Sequence, residues 1–465
     1  MKSISTLLSF LIIATFSRGQ TIGQLIKNSE EHVHSAGCGS YHIIEHIDAK
    51  TPGFLDKSNE ALEQMSKQSK QISYKRQEQL TIPVVFHVVY NDSTENIPDS
   101  VIQNQLEILN NAFNHTHADT GNLRDEFKPI AGNANIQFVL ATEDPNGKTT
   151  TGIVRQNTSV KHFGGTLPYK QSEQAEIRQW LADSFYQNLF RITSTADGGS
   201  DEWDPTRYIN IWIGDLRIYE PEFNDLEELV FVGLATPPSN HRFWDVEFLP
   251  ADITATGALI HYPAVGSNNP NKYPAPYGVF NSSASQGKIV VHEVGHYLGL
   301  RHIWGDGTDC TVDDFIDDTP LCTSSSNFGC QIGKNTCGRG EDGDMPDMVE
   351  NYMDYARGDC ALAFTKQQTD VMRLVWKQDR QWPASTNELE KASLISIYPN
   401  PSTGSVNLES YNKEPLHLIV KDLSGKVLQQ MHVGESKAQI SLPTGVFVIE
   451  SHSQLGVQTS KVIVQ

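Results

Sequence analysis

The stretch His292-Glu293-Val294-Gly295-His296-Tyr297-Leu298-Gly299-Leu300-Arg301-His302 sets three imidazoles and a carboxylate at spacings that can do chemistry. Lys288-Ile289-Val290-Val291 ahead of it continues a helical pattern. On a helix His292 and His296, four apart, project from one face and can bind one metal. Glu293 lies beside the first of them, where its carboxylate reaches a water polarised by that metal. Gly299 can adopt a left-handed conformation that ends the helix and swings His302 back as a third ligand. Three neutral imidazoles leave a fourth tetrahedral position open, as in catalytic rather than structural zinc. Such a zinc polarises a carbonyl while the glutamate takes a proton and passes it to a leaving amine. A bare His-Glu-x-x-His recurs by accident, but the eleven-residue pattern fixes five positions. A chance match in a chain this long is on the order of one in ten thousand. The competing reading is a core helix with satisfied histidines.

About fifty residues after His302 comes Asn351-Tyr352-Met353-Asp354-Tyr355. Together the two segments resemble the metzincins, whose methionine-containing turn lies beneath the zinc. The resemblance implies that Met353 supports the site and that Tyr355 steadies an oxyanion. The run from His296 to Trp304, Asp318-Thr319-Pro320, Asn351 to Tyr355, and Asp359-Cys360 are similar to the pappalysins, specifically the ulilysin type. That similarity spans roughly residues 80–385 and is weaker in the loops at 157–250. It implies an endopeptidase in which Asp359 floors the S1′ pocket and selects Arg or Lys after the scissile bond, a carboxylate gripping a guanidinium. A solvated surface aspartate is the other reading of Asp359.

Six aspartates fall within residues 306–318 and repel one another unless cations neutralise them. By resemblance Asp314 and Thr319 match calcium-site positions, with the carbonyl of Asp317 as a further ligand. A simply solvated acidic loop is the alternative, and the spacing is not that of an EF-hand. The chain has six cysteines. The resemblance implies the bridges Cys310–Cys337 and Cys330–Cys360 and leaves Cys322 over; a local Cys310–Cys322 bridge is also open. Cys38, in Ala36-Gly37-Cys38-Gly39-Ser40, resembles the cysteine switch of pappalysin zymogens. Its thiolate would take the fourth zinc position and exclude water. A Cys38–Cys322 disulfide is the competing expectation. Tyr74-Lys75-Arg76 lies in a polar linker where an enzyme preferring basic P1′ residues would cut itself.

These groups need a frame. Ile82–Tyr90 reads as a buried strand, and Val101, Ile102, Leu106, Leu109, Ala112 and Phe113 as one face of a helix capped by Asp99 or Ser100. Ile136–Ala141, Gly152–Arg155, Tyr208–Ile213 and Gly257–Tyr262 add strands, and Ala61–Ser69 a helical stretch. The expected fold is an α/β (α+β) zincin domain with a twisted, mixed but mostly parallel sheet and an active-site helix. From about Leu394 short alternating strands separated by turn signals suggest a small all-β sandwich. Its motifs Tyr398-Pro399-Asn400-Pro401, Asp422-Leu423-Ser424-Gly425-Lys426, Leu442-Pro443-Thr444-Gly445 and Lys461-Val462-Ile463-Val464 resemble the sorting domain of type IX secretion cargo. At the other end Met1-Lys2, an apolar run from Leu7 to Phe16 and Ser17-Arg18-Gly19 have the parts of a signal peptide. The expected order is leader 1–19, pro-segment 20–75, catalytic domain 76–386, then linker and sorting domain 387–465.

The 465 residues suit several units, and 36 basic against 56 acidic residues leave a net charge of −20. That balance argues against nucleic-acid binding and against a polybasic membrane surface. No segment of the mature chain reaches membrane-spanning length, so a secreted or surface-attached monomer is expected. A narrow-specificity peptidase and a surface adhesin with an inactive zincin fold stand as alternatives; the intact Glu293 and full ligand set speak against the adhesin.

Overall fold

A computed structural model describes residues 38–71, 78–168, 173–219, 227–228, 231–238, 253–271, 286–327, 329–340, 343–380, 395–398, 402–410, 416–422, 426–433, 437–453 and 456–464. The leader and Tyr74-Lys75-Arg76 lie outside these residues. The chain divides into two compact units, the first within residues 1–239 and 246–380, the second within 240–245 and 381–465.

The described part of the first unit opens with two helices, α1 (Ser40–Lys50) and α2 (Phe54–Gln71), the second longer than the Ala61–Ser69 stretch expected. The apolar run then forms β1 (Leu80–Tyr90), the hub of a six-stranded sheet. One side of β1 pairs in parallel with β2 (Ile136–Leu140) and then β3 (Ile153–Asn157). Its other side pairs in parallel with β4 (Ile209–Gly214). Beyond β4, β5 (Gly233–Ala235) lies antiparallel on β6 (Ala258–His261), which itself runs parallel to β4. The sheet is therefore mixed, with one antiparallel strand at its edge. β4 is buried along its whole length and β1 along most of it. That explains why β1 reads as an unbroken apolar run rather than an alternating one.

Helix α3 (Asp99–Phe113) buries Val101, Ile102, Leu109, Ala112 and Phe113, the periodic positions. Its N-cap is Pro98, not Asp99 or Ser100, and no side chain caps it; the Asp99 carboxylate instead pairs with Arg155. Gln105 on this helix donates to the Gly287 carbonyl at 3.0 Å and accepts from Gly266 N–H at 2.7 Å. It thereby pins the start of the active-site helix α4 (Lys288–Tyr297). A last helix, α5 (Lys366–Val375), opens with a capping box between Thr365 and Gln368.

Among the described residues the second unit has seven strands. β7 (Ile395–Tyr398), β8 (Ser405–Ser410) and β11 (Lys437–Ser441) make one antiparallel sheet. β9 (Leu416–Asp422), β10 (Val427–Val433), β12 (Gly445–Ser453) and β13 (Gly456–Val464) make the other. Val406, Leu408 and Ile440 from the first sheet share a core with Leu418, Val420, Phe447, Ile449 and Val462 from the second, the mark of a sandwich.

Candidate active site

Each ligand candidate is fixed from behind. His292 Nδ1 donates to the Tyr352 carbonyl at 2.7 Å, and His296 Nδ1 to the Leu300 carbonyl at 2.8 Å. His302 Nδ1 faces the Asp306 carboxylate. With each Nδ1 so committed, the three Nε2 atoms face one another. His296 Nε2 is 3.0 Å from His292 Nε2 and 3.1 Å from His302 Nε2. Burial holds His292 down to about 4 and His296 well below its ordinary value, so both are neutral near pH 7. Imidazole nitrogens aiming lone pairs at one point repel one another without a cation between them. The donor set therefore fits a zinc ion. The return of His302 depends on Gly299 at φ +93°, whose N–H bonds the His296 carbonyl at 2.9 Å.

The fourth corner of this cluster is Cys38. Its Sγ and the three imidazole nitrogens all lie within 4.8 Å of one another. The segment carrying it adds to the edge of the sheet: Cys38 bridges Gly233 in parallel, and Gly39 N–H donates to the Gly233 carbonyl at 2.8 Å. A side chain at Gly39 would strike Phe231 at 2.8 Å, which accounts for the glycine after the cysteine. Cys38 and Cys322 are free thiols, while Cys310–Cys337 and Cys330–Cys360 are bonded. Neither alternative pairing of Cys322 is formed.

Glu293 is fully buried. Its Oε2 accepts from Ser40 Oγ at 2.8 Å and from Cys38 Sγ at 3.4 Å, while Oε1 has no partner among the described residues. Burial pushes its carboxyl up to about 8, against the hydrogen bonds from Ser40 and Cys38. Burial likewise lifts the Cys38 thiol and the Tyr355 phenol well above their ordinary values. A dication at the centre would favour the ionised forms of all three. The Tyr355 hydroxyl donates to the Cys38 carbonyl at 3.3 Å.

Met353 packs against Gly295 of the helix. A Cβ at Gly295 would sit 2.6 Å from its sulfur. Asn351 holds the turn, accepting from Met353 N–H at 2.9 Å and donating to Gln368 at 2.9 Å. Gly295→Ala would gain about 1 kcal/mol of helix propensity in open space. Here overpacking of about 1–3 kcal/mol outweighs it. A lowered urea midpoint is the expected result, and a raised midpoint would contradict this packing.

The remaining candidates fall around this centre. The cleft beside His292 is lined by Lys288, Ile289, Tyr352, Tyr355, Gly358 and Ala361, among others. Asp359, next to Gly358, does not line it; its carboxylate is gripped at the surface by Arg357 through bonds of 2.6 and 3.0 Å. Asp314 and Thr319 do meet: the Thr319 hydroxyl is 2.8 Å from Asp314 Oδ1. Asp314 Oδ2 is buried without a hydrogen-bond partner among the described residues, the kind of orphaned oxygen a calcium ion would satisfy. The Asp317 side chain faces Lys70 of α2. Residues beyond the sequence reading are Ser40 on Glu293, Asp306 behind His302, and β5 as the strand that receives the Cys38 segment. Ser40 carries one cue, its place two residues after Cys38. β5 carried a cue as well, for it ends the apolar run Leu229 to Ala235, inside a stretch that read as a long polar loop.

Two family models match, pregnancy-associated plasma protein-A peptidases over residues 245–377 and secretion system C-terminal sorting domains over residues 396–465. An extracellular metalloprotease of Arthroderma otae is 35% identical over 305 residues, covering 65% of this chain and 79% of that protein. One from Arthroderma benhamiae is 39% identical over 115 residues, covering 24% of this chain. The chain spans 37% of that second relative's length. A solved structure of a mutant promirolysin from Tannerella forsythia superposes with a TM-score of 0.54 at 32% identity, covering 74% of this chain and 95% of that one. Among the described residues no helix is long and apolar enough to cross a membrane.

Proposed function

Since this chain belongs to the pregnancy-associated plasma protein-A (pappalysin) family of peptidases, we propose that it is a secreted zinc endopeptidase, made latent and cutting N-terminal to Arg and Lys. The observation that carries the reading is the convergence of three back-bonded imidazoles beside a buried glutamate. His292, His296 and His302 would hold the zinc, which supplies the Lewis acidity that acidifies a water and polarises the scissile carbonyl. Glu293 takes the proton of the attacking water and returns it to the leaving amine. The Tyr355 hydroxyl, spent on the Cys38 carbonyl in the latent chain, is released to donate to the developing oxyanion.

Latency rests on the pro-segment up to residue 75. Cys38 takes the fourth ligand position, and α2 anchors the segment through Ser58 and Asn59 on Arg301 and Ser66 on Gln367. Maturation is autolytic, before Lys75 or Arg76. Calcium held by Asp314, Thr319 and the Asp317 carbonyl braces the loop that follows His302. The sorting domain addresses the chain to a type IX secretion system and so to the exterior or the outer surface.

Basic P1′ selection is assigned to Asp359 on its place beside Gly358 of the cleft, and it requires the carboxylate to exchange Arg357 for the substrate's basic side chain. Asp359→Ala should lower the preference for Arg and Lys about 10- to 100-fold, the worth of a charged hydrogen bond of about 1.5–3 kcal/mol. An unchanged preference would place the selection elsewhere. The cleavage profile of the matured enzyme on a denatured proteome tests the whole reading. Cuts before Arg and Lys are expected. A single cleaved protein would indicate a narrow peptidase, and no cuts an adhesin.

A further inference from the structure

Asp306 stands four residues after His302 with φ +59°, in the left-handed region that a non-glycine residue seldom occupies. It is only 3% exposed. Glycines flank it on both sides, and Gly305, also at φ +59°, has the Asp313 carbonyl oxygen 2.6 Å from where a Cβ would stand. The chain is thus folded tightly at the one point that carries a buried carboxylate back to the His302 Nδ1. His292 and His296 are oriented by neutral backbone carbonyls, whereas His302 faces a carboxylate. Trp304 stacks on the His302 ring at 4.3 Å with planes 4° apart, and Tyr355 meets it edge-on at 4.7 Å.

A strained backbone and a buried carboxylate are both costly, and they persist where the surroundings hold them for a purpose. We propose that Asp306 is a positioning residue for the metal. It keeps the proton of His302 on Nδ1, turns the Nε2 lone pair to the centre, and places a negative charge behind the ligand whose position depends on the Gly299 turn. A carboxylate behind a ligating imidazole raises its basicity and its grip on the metal. The inference rests on the zinc reading above and adds to it a determinant of affinity outside the ligand set.

The test is zinc affinity of the full-length chain by competition with a chelator, with the thermal midpoint of each zinc-free chain measured alongside. Asp306→Asn keeps the size and the tolerance of left-handed backbone but removes the charge; Asp306→Ala removes both acceptor oxygens. Zinc binding about 10- to 100-fold weaker in Asp306→Asn, with an unchanged zinc-free midpoint, is expected. Should Asp306→Ala fail to fold, Asp306→Asn decides alone. Affinity within twofold of the parent overturns the role of Asp306 and leaves the zinc reading standing. A parent chain that takes up no zinc overturns both.

Discussion

Glu293→Gln lowers peptide hydrolysis by about 10²- to 10⁴-fold, the contribution of a positioned general acid–base group. The carboxamide has the same size, so it still fits where a Gly233 Cβ would lie 2.9 Å from the glutamate oxygen. Its oxygen can still accept from Ser40 Oγ. It cannot take a proton. The three imidazole nitrogens are untouched, so zinc content stays at the parent value. If maturation is autolytic, this variant accumulates with its pro-segment intact. The same mature N-terminus as in the parent would show that another protease does the trimming. Activity is therefore read after an unrelated protease has removed the pro-segment from both chains. A kcat/KM within tenfold of the parent, at equal zinc content, would take the role of base away from Glu293.

The second large effect is loss of latency in Cys38→Ala, read as hydrolysis by the uncleaved chain without a lag. Removing the sulfur vacates one corner of a cluster whose members lie within 4.8 Å of one another. On the proposed switch, Ser40 would act as a second lock. Ser40 Oγ bridges Glu293 Oε2 and the Ala235 N–H, both at 2.8 Å, tying the glutamate to β5 through the segment that carries Cys38. A hydrogen bond to a charged group contributes about 1.5–3 kcal/mol. Ser40→Ala alone should raise the activity of the uncleaved chain about 10- to 100-fold, and the double variant should exceed Cys38→Ala. An unchanged lag in Cys38→Ala would sink the switch.

What could be read from the sequence was what a single local element determines. His292, Glu293 and His296 need only helix periodicity, and Gly299 with His302 needs only a left-handed turn. The long strand β1 was legible because burial on both faces makes it apolar throughout. Met353 and the two bonded cysteine pairs came only through family resemblance, since their partners lie far away in the chain. Ser40 and Asp306 were missed because their meaning arises on docking. One reaches Glu293 only when its segment lies along β5, the other reaches His302 only through a left-handed backbone that no spacing announces. The N-cap of α3 was misplaced because Asp99, a good capping type, is drawn into an ion pair with Arg155. Asp359 shows the limit of carrying a role across by position. Its place in the chain matches, but in the structure its carboxylate is paired with Arg357, two residues before it.

Hydrolysis of a denatured protein by the matured enzyme, before chelation, after chelation and after zinc is restored, tests the central claim most directly. Cleavage that stops when the metal is withdrawn and returns with zinc is the predicted result. Cleavage that continues in the zinc-free protein would contradict the account, because Glu293 alone has no means of polarising a peptide carbonyl.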